Sequence, residues 1–162
     1  MGSLSSFIIG LIVGAALVAL TVWFVLPNKM LHISESNLSL EETVAKIEQE
    51  TLAAGWKVPK IYDLQKTLQE SGYEQMTKMK ILSICQPDHA FAILEDDENK
   101  MVAAMMPCRI GVYETADGTV KIAQMNIGLM SKMFGGTIEK VMGKVAAEEE
   151  QILKGIIATS IN

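Results

Sequence analysis

Cys85, His89 and Cys108 are the residues of this chain whose types and spacing could support chemistry. Cys85 is expected to end a strand just before a helix N-terminus, where the helix dipole favours the thiolate and lowers the pKa of a thiol. His89 falls in the first turn of that helix, and Cys108 is expected on another strand that could lie beside the first. The three residues together predict a structural disulfide, a metal or haem ligand set, or a thiol redox centre.

For each of these interpretations there is an alternative in which the residues carry out no chemistry. Free cysteine is among the most buried residue types and behaves as a small hydrophobe, so both cysteines also fit core positions. A disulfide requires an oxidising compartment, and a lone histidine is commonly a capping or surface residue. The chain contains no C-x-x-C, H-E-x-x-H, Gly-rich phosphate loop or nucleophile elbow, so no catalytic residue is predicted.

Methionine is abundant, with 11 residues in 162, most of them after residue 100. Thioethers are soft ligands for Cu(I) or an axial haem position, but they also fill irregular cores and adaptable contact surfaces. Without a tight M-x-M repeat, we predict core and interface packing. Residues 127–136, which include Met130, Met133 and Phe134, could form an exposed apolar lip that contacts a membrane or a partner.

The charge balance argues against nucleic acid as a partner. The formal net charge is −5, whereas a phosphate-binding surface needs clustered Lys and Arg. The acidic runs at residues 95–98 (EDDE) and 148–150 (EEE) are expected to be solvated. The first run could also hold a divalent cation, but it lacks the spacing of an EF-hand calcium loop.

Residues 7–26 form an uncharged apolar run that, as a helix, reaches roughly 30 Å, the thickness of a bilayer's hydrocarbon core. A cleaved signal peptide would have a basic leader and a shorter apolar core, but residues 1–6 contain no Lys or Arg. The sequence therefore predicts a single-pass membrane anchor over residues 1–29 and one soluble domain over residues 30–162.

The end of the apolar run has the marks of a membrane interface. Trp23 and Phe24 fit an aromatic belt, and Pro27 with Asn28 is expected to stop the helix. Lys29 mildly favours a cytoplasmic C-terminal side, whereas anchors with short leaders often display their domain across the membrane. The side of the soluble domain therefore stays open.

A ridge of small residues lies on one face of the anchor. Ser6, Gly10 and Gly14 are spaced by four, which lets two membrane helices approach closely and predicts a homodimer. Glycine is also simply common in membrane helices, so the spacing has an ordinary explanation as well.

The domain is predicted to be α+β, with a mainly antiparallel sheet and packed helices. A capping box of Ser39 and Glu42 starts the first helix, and Gly55 ends it. Its apolar stripe is expected to contain Leu40, Val44, Ile47 and Leu52. Further helices are expected at residues 63–70, 87–94 and 137–157, and strands at 56–62, 79–85, 101–115 and 119–125, the last two joined by an Asp-Gly turn.

Two segments give the chain a family resemblance. Residues 84–90 (ICQPDHA) resemble the C-x-P-x-H-A segment of family 302 of the domains of unknown function, and residues 106–110 (MPCRI) resemble its L-P-C-R-hydrophobic strand. The similarity covers about residues 31–157. It implies a compact, dimeric α+β domain without an established activity.

Three functional hypotheses follow. The leading one is a non-enzymatic ligand-binding or accessory module, held in the membrane lipid as a homodimer or beside a membrane protein complex, with Cys85, His89 and Cys108 at its site. The second is a thiol- or metal/haem-dependent redox protein that uses the same residues. The third is a purely structural assembly subunit, whose behaviour would not change when Cys85 and Cys108 are replaced by serine.

Overall fold

The computed structural model describes residues 2–160, with the backbone alone at residues 2, 3, 5, 159 and 160. The domain is α+β, as predicted, with an antiparallel sheet and packed helices that follow a long apolar helix. The helices are α1 (Gly2–Met30), α2 (Leu40–Ala53), α3 (Leu64–Glu70), α4 (Pro87–Leu94), α5 (Ile127–Ser131) and α6 (Gly136–Leu153), with a 3₁₀ helix at Asp97–Met105. The strands are β1 (Leu31–Ser36), β2 (Lys57–Asp63), β3 (Met79–Cys85), β4 (Cys108–Glu114), β5 (Val120–Met125) and β6 (Thr159–Ser160).

Helix α1 is exposed along its described length and is long and apolar enough to cross a membrane. By length and composition the candidate span is Ser6–Met30, 25 residues with a mean hydropathy of 2.6, although a signal sequence would pass the same test. The expected stop at Pro27 is wrong, because the helix continues to Met30. Proline removes the backbone N–H that would donate to the Trp23 carbonyl, and the Asn28 side chain donates to the neighbouring Phe24 carbonyl at 3.3 Å.

The small-residue ridge on α1 faces open space. A Cβ added at Gly10 or at Gly14 would meet no atom within 4 Å. A second helix therefore finds no obstruction there, and pairing through Ser6, Gly10 and Gly14 stays a prediction.

Helix α2 begins at the predicted capping box. The Ser39 backbone N–H donates to Glu42 Oε2 at 3.0 Å, and the Ser39 hydroxyl accepts from the Glu42 N–H. The predicted stripe is correct for Leu40, Val44 and Ile47 and wrong for Leu52, which is exposed. The buried positions nearby are Thr43 and Thr51, whose hydroxyls bond to Ser36 and to the Ile47 carbonyl, so polar side chains enter the core with their donors satisfied.

The sheet has the strand order β2-β3-β4-β5-β1-β6, and its paired strands are antiparallel. Strand β1, which the sequence pattern does not reveal, follows α1 without a loop and pairs with β5 from Leu31↔Met125 to Ser36↔Val120. One face of the sheet packs against α2 and α6 around a core that contains Ile47, Leu82, Ile84, Ile110, Ile122 and Leu153.

The predicted strand at residues 101–115 is wrong in its first half. Residues Asp97–Met105 form a 3₁₀ helix, and the strand is limited to Cys108–Glu114. Asp96 starts the 3₁₀ helix by accepting from the Glu98 N–H, and Val102 anchors it in a small second core with Ile93 and Ile138. The 3₁₀ turns thus place the Val102 side chain in this second core.

The hairpin and the last helix follow the prediction closely. The Asp-Gly turn between β4 and β5 places Gly118 at φ 85°, and Asp117 accepts from the Thr115 hydroxyl and the Thr119 N–H, bonds that lower the pKa of Asp117 to about 2. Helix α6 ends at Leu153 rather than at residue 157, because the chain turns back to the sheet, where the Ala158 N–H donates to the Glu35 carbonyl at 2.8 Å.

The capping box gives a direct test of the fold. Replacing Ser39 with Ala removes the hydroxyl that bonds to Glu42, and we expect a loss of about 1 kcal/mol in the free energy of unfolding. Urea unfolding of the full chain in detergent, followed by far-UV circular dichroism, measures it. Ser39→Thr keeps the hydroxyl and is the control, and an equal loss in both variants would contradict the capping role.

Candidate functional site

Cys85, His89 and Cys108 line one cleft. Strand β3 ends at Cys85, α4 begins two residues later and carries His89 in its first turn, and β4 begins at Cys108. The cleft has a volume of ≈ 330 Å³, including its open mouth, and its other walls come from Trp56, Pro107 and the α6 residues Met142 and Val145.

The two cysteines belong to neighbouring strand ends and are not bonded to each other. Ile84 is the Cα partner of Cys108, which places Cys85 one residue from the paired position. Both thiols are free and half-buried. The structure therefore does not contain the disulfide alternative.

The expected lowering of the Cys85 thiol pKa is wrong. Burial raises the pKa of Cys85, because the interior disfavours the thiolate more than the helix dipole stabilises it. The pKa of Cys108 rises to about 12, first through burial, and then through the charges of Glu149 and Cys85. Both side chains are thiols at neutral pH, which makes them weak nucleophiles and weak metal ligands.

His89 is held by the residues on either side of the cleft. The Gln86 side chain caps α4 by accepting from the His89 N–H at 2.8 Å, and His89 Nε2 lies 2.9 Å from Glu148 Oε1. Trp56 Nε1 donates to Glu148 Oε2 at 3.0 Å. The hydrogen bond with His89, followed by the one with Trp56, lowers the pKa of Glu148, so this carboxylate is ionised and accepts from both rings.

This network orients the His89 ring. Because the ionised Glu148 accepts, Nε2 carries a proton, and in the neutral form of the ring Nδ1 is an acceptor. Within residues 2–160, His89 Nδ1 has no hydrogen-bond partner. The nitrogen remains available to a ligand or to water.

Glu149 is a buried carboxyl near Cys108 that sequence reasoning missed. The acidic run at residues 148–150 was expected to be solvated, but the Glu149 side chain is only 3% exposed, and within residues 2–160 its Oε1 has no hydrogen-bond partner. Burial raises the pKa of Glu149 to about 8, so the carboxyl is mostly neutral at pH 7. The spacing from Val141 and Val145 puts residue 149 in the apolar stripe of α6, and that signal was present in the sequence.

The structure does not gather a metal site. Among the described residues, no three His, Cys, Asp or Glu side chains lie close enough together to hold one metal ion. Cys85, His89 and Cys108 thus share a cleft without forming a ligand set, and the two protonated thiols agree with that geometry.

A second cleft adjoins the first and is lined by methionines. It has a volume of ≈ 420 Å³, including its mouth, and shares Met106, Cys108 and Met142 with the cleft around His89. The prediction that methionines serve packing and contact surfaces holds for those lining this cleft, whereas Met101 and Met133 are exposed. The apolar lip is exposed at Met133 and Phe134, while Ile127 is buried.

Comparisons with known proteins identify the family and a similar fold. The family model described as "Domain of unknown function DUF302" matches residues 32–159. The crystal structure of an uncharacterised conserved DUF302 protein from Bacillus stearothermophilus resembles the chain with a TM-score of 0.69, 24% sequence identity and coverage of 77% of this chain and 96% of that one. At this identity the likeness shows the fold alone. No curated protein matches the chain at a significant level.

The buried carboxyl of Glu149 predicts a dependence of stability on pH. Its pKa is raised in the folded state, so stability is unaffected below the unfolded value near 4.5 and falls as the pH rises toward about 8. We expect a slope of up to about 1.4 kcal/mol per pH unit in the free energy of unfolding. The Glu149→Gln variant stays neutral and should lose this slope in urea titrations between pH 5 and 8.

Glu150 provides the matched control, because it is exposed on the same helix. Glu150→Gln should keep the slope of the unmodified chain. If Glu149→Gln and the unmodified chain lose stability equally between pH 5 and 8, the buried carboxyl is not the titrating group.

Proposed function

The chain belongs to the DUF302 family, and from this premise we propose that it is a membrane-anchored module that binds a small, largely apolar molecule in the cleft around Cys85, His89 and Cys108. The observation that carries the proposal is the cleft itself. Its walls are apolar, and one fixed hydrogen-bonding group, Nδ1 of His89, is unused within residues 2–160. Pockets with apolar walls and few oriented polar groups are typical of small-molecule sites.

The polar end of the cleft favours a ligand that carries a hydrogen-bond donor. Glu148 holds the His89 ring through Nε2, so Nδ1 of the neutral ring would accept a hydrogen bond from the ligand. Trp56 adds an aromatic wall that the bond from its Nε1 to Glu148 holds in place. An apolar ring that carries one N–H or O–H group fits these requirements.

The redox hypothesis is less favoured by the electrostatics of the thiols. Thiol chemistry requires a thiolate, and burial raises the pKa of both Cys85 and Cys108. The purely structural hypothesis gives the cleft no role and therefore predicts no saturable binding. Both alternatives differ from the binding module in a measurable way.

The anchor and the dimer are part of the proposal. Helix α1 would hold the domain at the membrane, supported by its 25-residue candidate span and by its exposed apolar surface. The open ridge of Gly10 and Gly14 would allow two copies to pair within the bilayer or to contact a membrane protein complex. No nucleic acid partner is proposed for this acidic chain.

We would test binding with 5-fluoroindole, an apolar ring with one N–H group, and the full chain in phosphatidylcholine nanodiscs. Fluorine NMR should show saturable binding. Replacing Ala90, which lines the cleft, with Phe fills the site, and we expect the affinity to fall at least about tenfold, equivalent to about 1.4 kcal/mol.

Ala45 is the matched control, since it is an exposed alanine on α2, outside the cleft. Ala45→Phe should bind the probe as the unmodified chain does. A signal that does not saturate, or that is equal in all three proteins, would mean partitioning into the bilayer and would refute the binding site.

A further inference from the structure

We propose that the methionine-lined cleft binds one hydrocarbon chain of a membrane lipid, which enters from the bilayer beside helix α1. The proposal rests on the membrane-anchoring part of the proposed function, but it concerns a different cavity and a different class of ligand. The site lies between the 3₁₀ helix, the end of β5, α5 and α6.

The chemistry of the lining excludes a charged or strongly polar occupant. The walls are mainly thioether and hydrocarbon groups, from Met105, Met106, Met125, Met130, Met142 and Phe134. Among the described residues, no charged side chain lines the cavity. The hydroxyl of Ser131 already donates to the Gly128 carbonyl at 3.2 Å, and the Cys108 thiol is a weak donor.

Methionine walls suit an occupant without a fixed shape. A thioether side chain has several rotatable bonds, so such a wall adapts to a flexible chain more readily than one of branched residues. Most of the ≈ 420 Å³ is open mouth rather than enclosed space, so a chain would enter by displacing these flexible side chains.

The position of the cleft relative to α1 identifies the source of the ligand. Helix α5 follows Asn126, whose side chain donates to the Lys29 carbonyl at 2.9 Å and whose N–H donates to the Met30 carbonyl at 2.8 Å. The α5 wall of the cleft, with Met130, therefore lies where α1 leaves the domain. When α1 spans a bilayer, this wall lies at the bilayer surface.

The exposed residues at this end fit a lipid surface. Met133 is 77% exposed and Phe134 is 41% exposed, and Phe134 also lines the cleft, which places it at the mouth. Lys132, which precedes Met133, and Lys29, whose carbonyl accepts from Asn126, are both exposed and put positive charge at this end of an otherwise acidic chain. Basic residues next to apolar ones match the headgroup and acyl layers of a membrane.

The test uses the full chain with ¹³C-methyl-labelled methionine in phosphatidylcholine nanodiscs. We expect intermolecular NOEs from the lipid chain methylene protons to the methyl groups of Met106 and Met142, which lie inside the cleft. Met105→Trp fills the cleft and should reduce these NOEs to background. Met101→Trp is the matched control, because Met101 is 66% exposed on the same 3₁₀ helix and should leave the NOEs unchanged.

Several outcomes would overturn the proposal. If lipid NOEs reach only Met30 and Met133, the lip contacts the bilayer but no chain enters the cleft. If lipid gives no NOE inside the cleft while octanoate added to the water does, the ligand is a soluble acid and the bilayer is not its source. If Met30 gives no lipid NOE, α1 is not embedded, and the anchor of the proposed function fails as well, whereas binding of 5-fluoroindole in the other cleft is measured independently.

Discussion

The junction between α1 and the sheet is the constraint on which the arrangement of the molecule depends. Helix α1 ends at Met30 and β1 begins at Leu31, so no linker separates the apolar helix from the sheet. Strand β1 pairs with β5, and Asn126, at the end of β5, bonds to the carbonyls of Lys29 and Met30. The direct connection and the two hydrogen bonds from Asn126 fix which end of the domain lies beside the helix. This junction therefore places the α5 wall and the methionine-lined cleft beside α1.

A second constraint is the distribution of charge on α6. Two consecutive glutamates of this helix meet opposite environments: Glu148 faces His89 and Trp56 and is ionised, whereas Glu149 is buried and mostly neutral at pH 7. The charge of Glu148 orients the histidine at the edge of one cleft. Keeping Glu149 neutral limits the negative charge near Cys108, at the boundary between the clefts. The cleft around His89 therefore has an ionised carboxylate, Glu148, at its edge. The methionine-lined cleft has a nearly uncharged surrounding.

Local signals in the sequence predicted the features that depend on neighbouring residues. The Ser39 cap, the Asp-Gly turn, the strand ending at Cys85 and the family motifs at residues 84–90 and 106–110 all appear as expected. Strand β1 could not be predicted, because its pairing with β5 joins segments far apart in the chain. The same is true of the 3₁₀ helix, which depends on the packing of Val102 with Ile93 and Ile138. The sequence pattern predicted that a site could contain Cys85, His89 and Cys108. The roles of Glu148 and Trp56 depend on tertiary contacts that no local pattern encodes.

We propose that the α5 end of the domain lies at the bilayer surface, and nitroxide accessibility tests this placement most directly. Spin labels would be placed at Lys132→Cys, beside the lip, and at Ala116→Cys, at the tip of the β4–β5 hairpin, in the full chain in nanodiscs. Strand β5 separates these positions by about 20 Å. The native thiols are half-buried with raised pKa values and should label slowly, which the unmodified chain checks. We expect the label at residue 132 to favour oxygen over a water-soluble nickel reagent, as in the headgroup region, and the label at residue 116 to behave as in water. Equal aqueous accessibility at both positions would contradict this orientation of the domain.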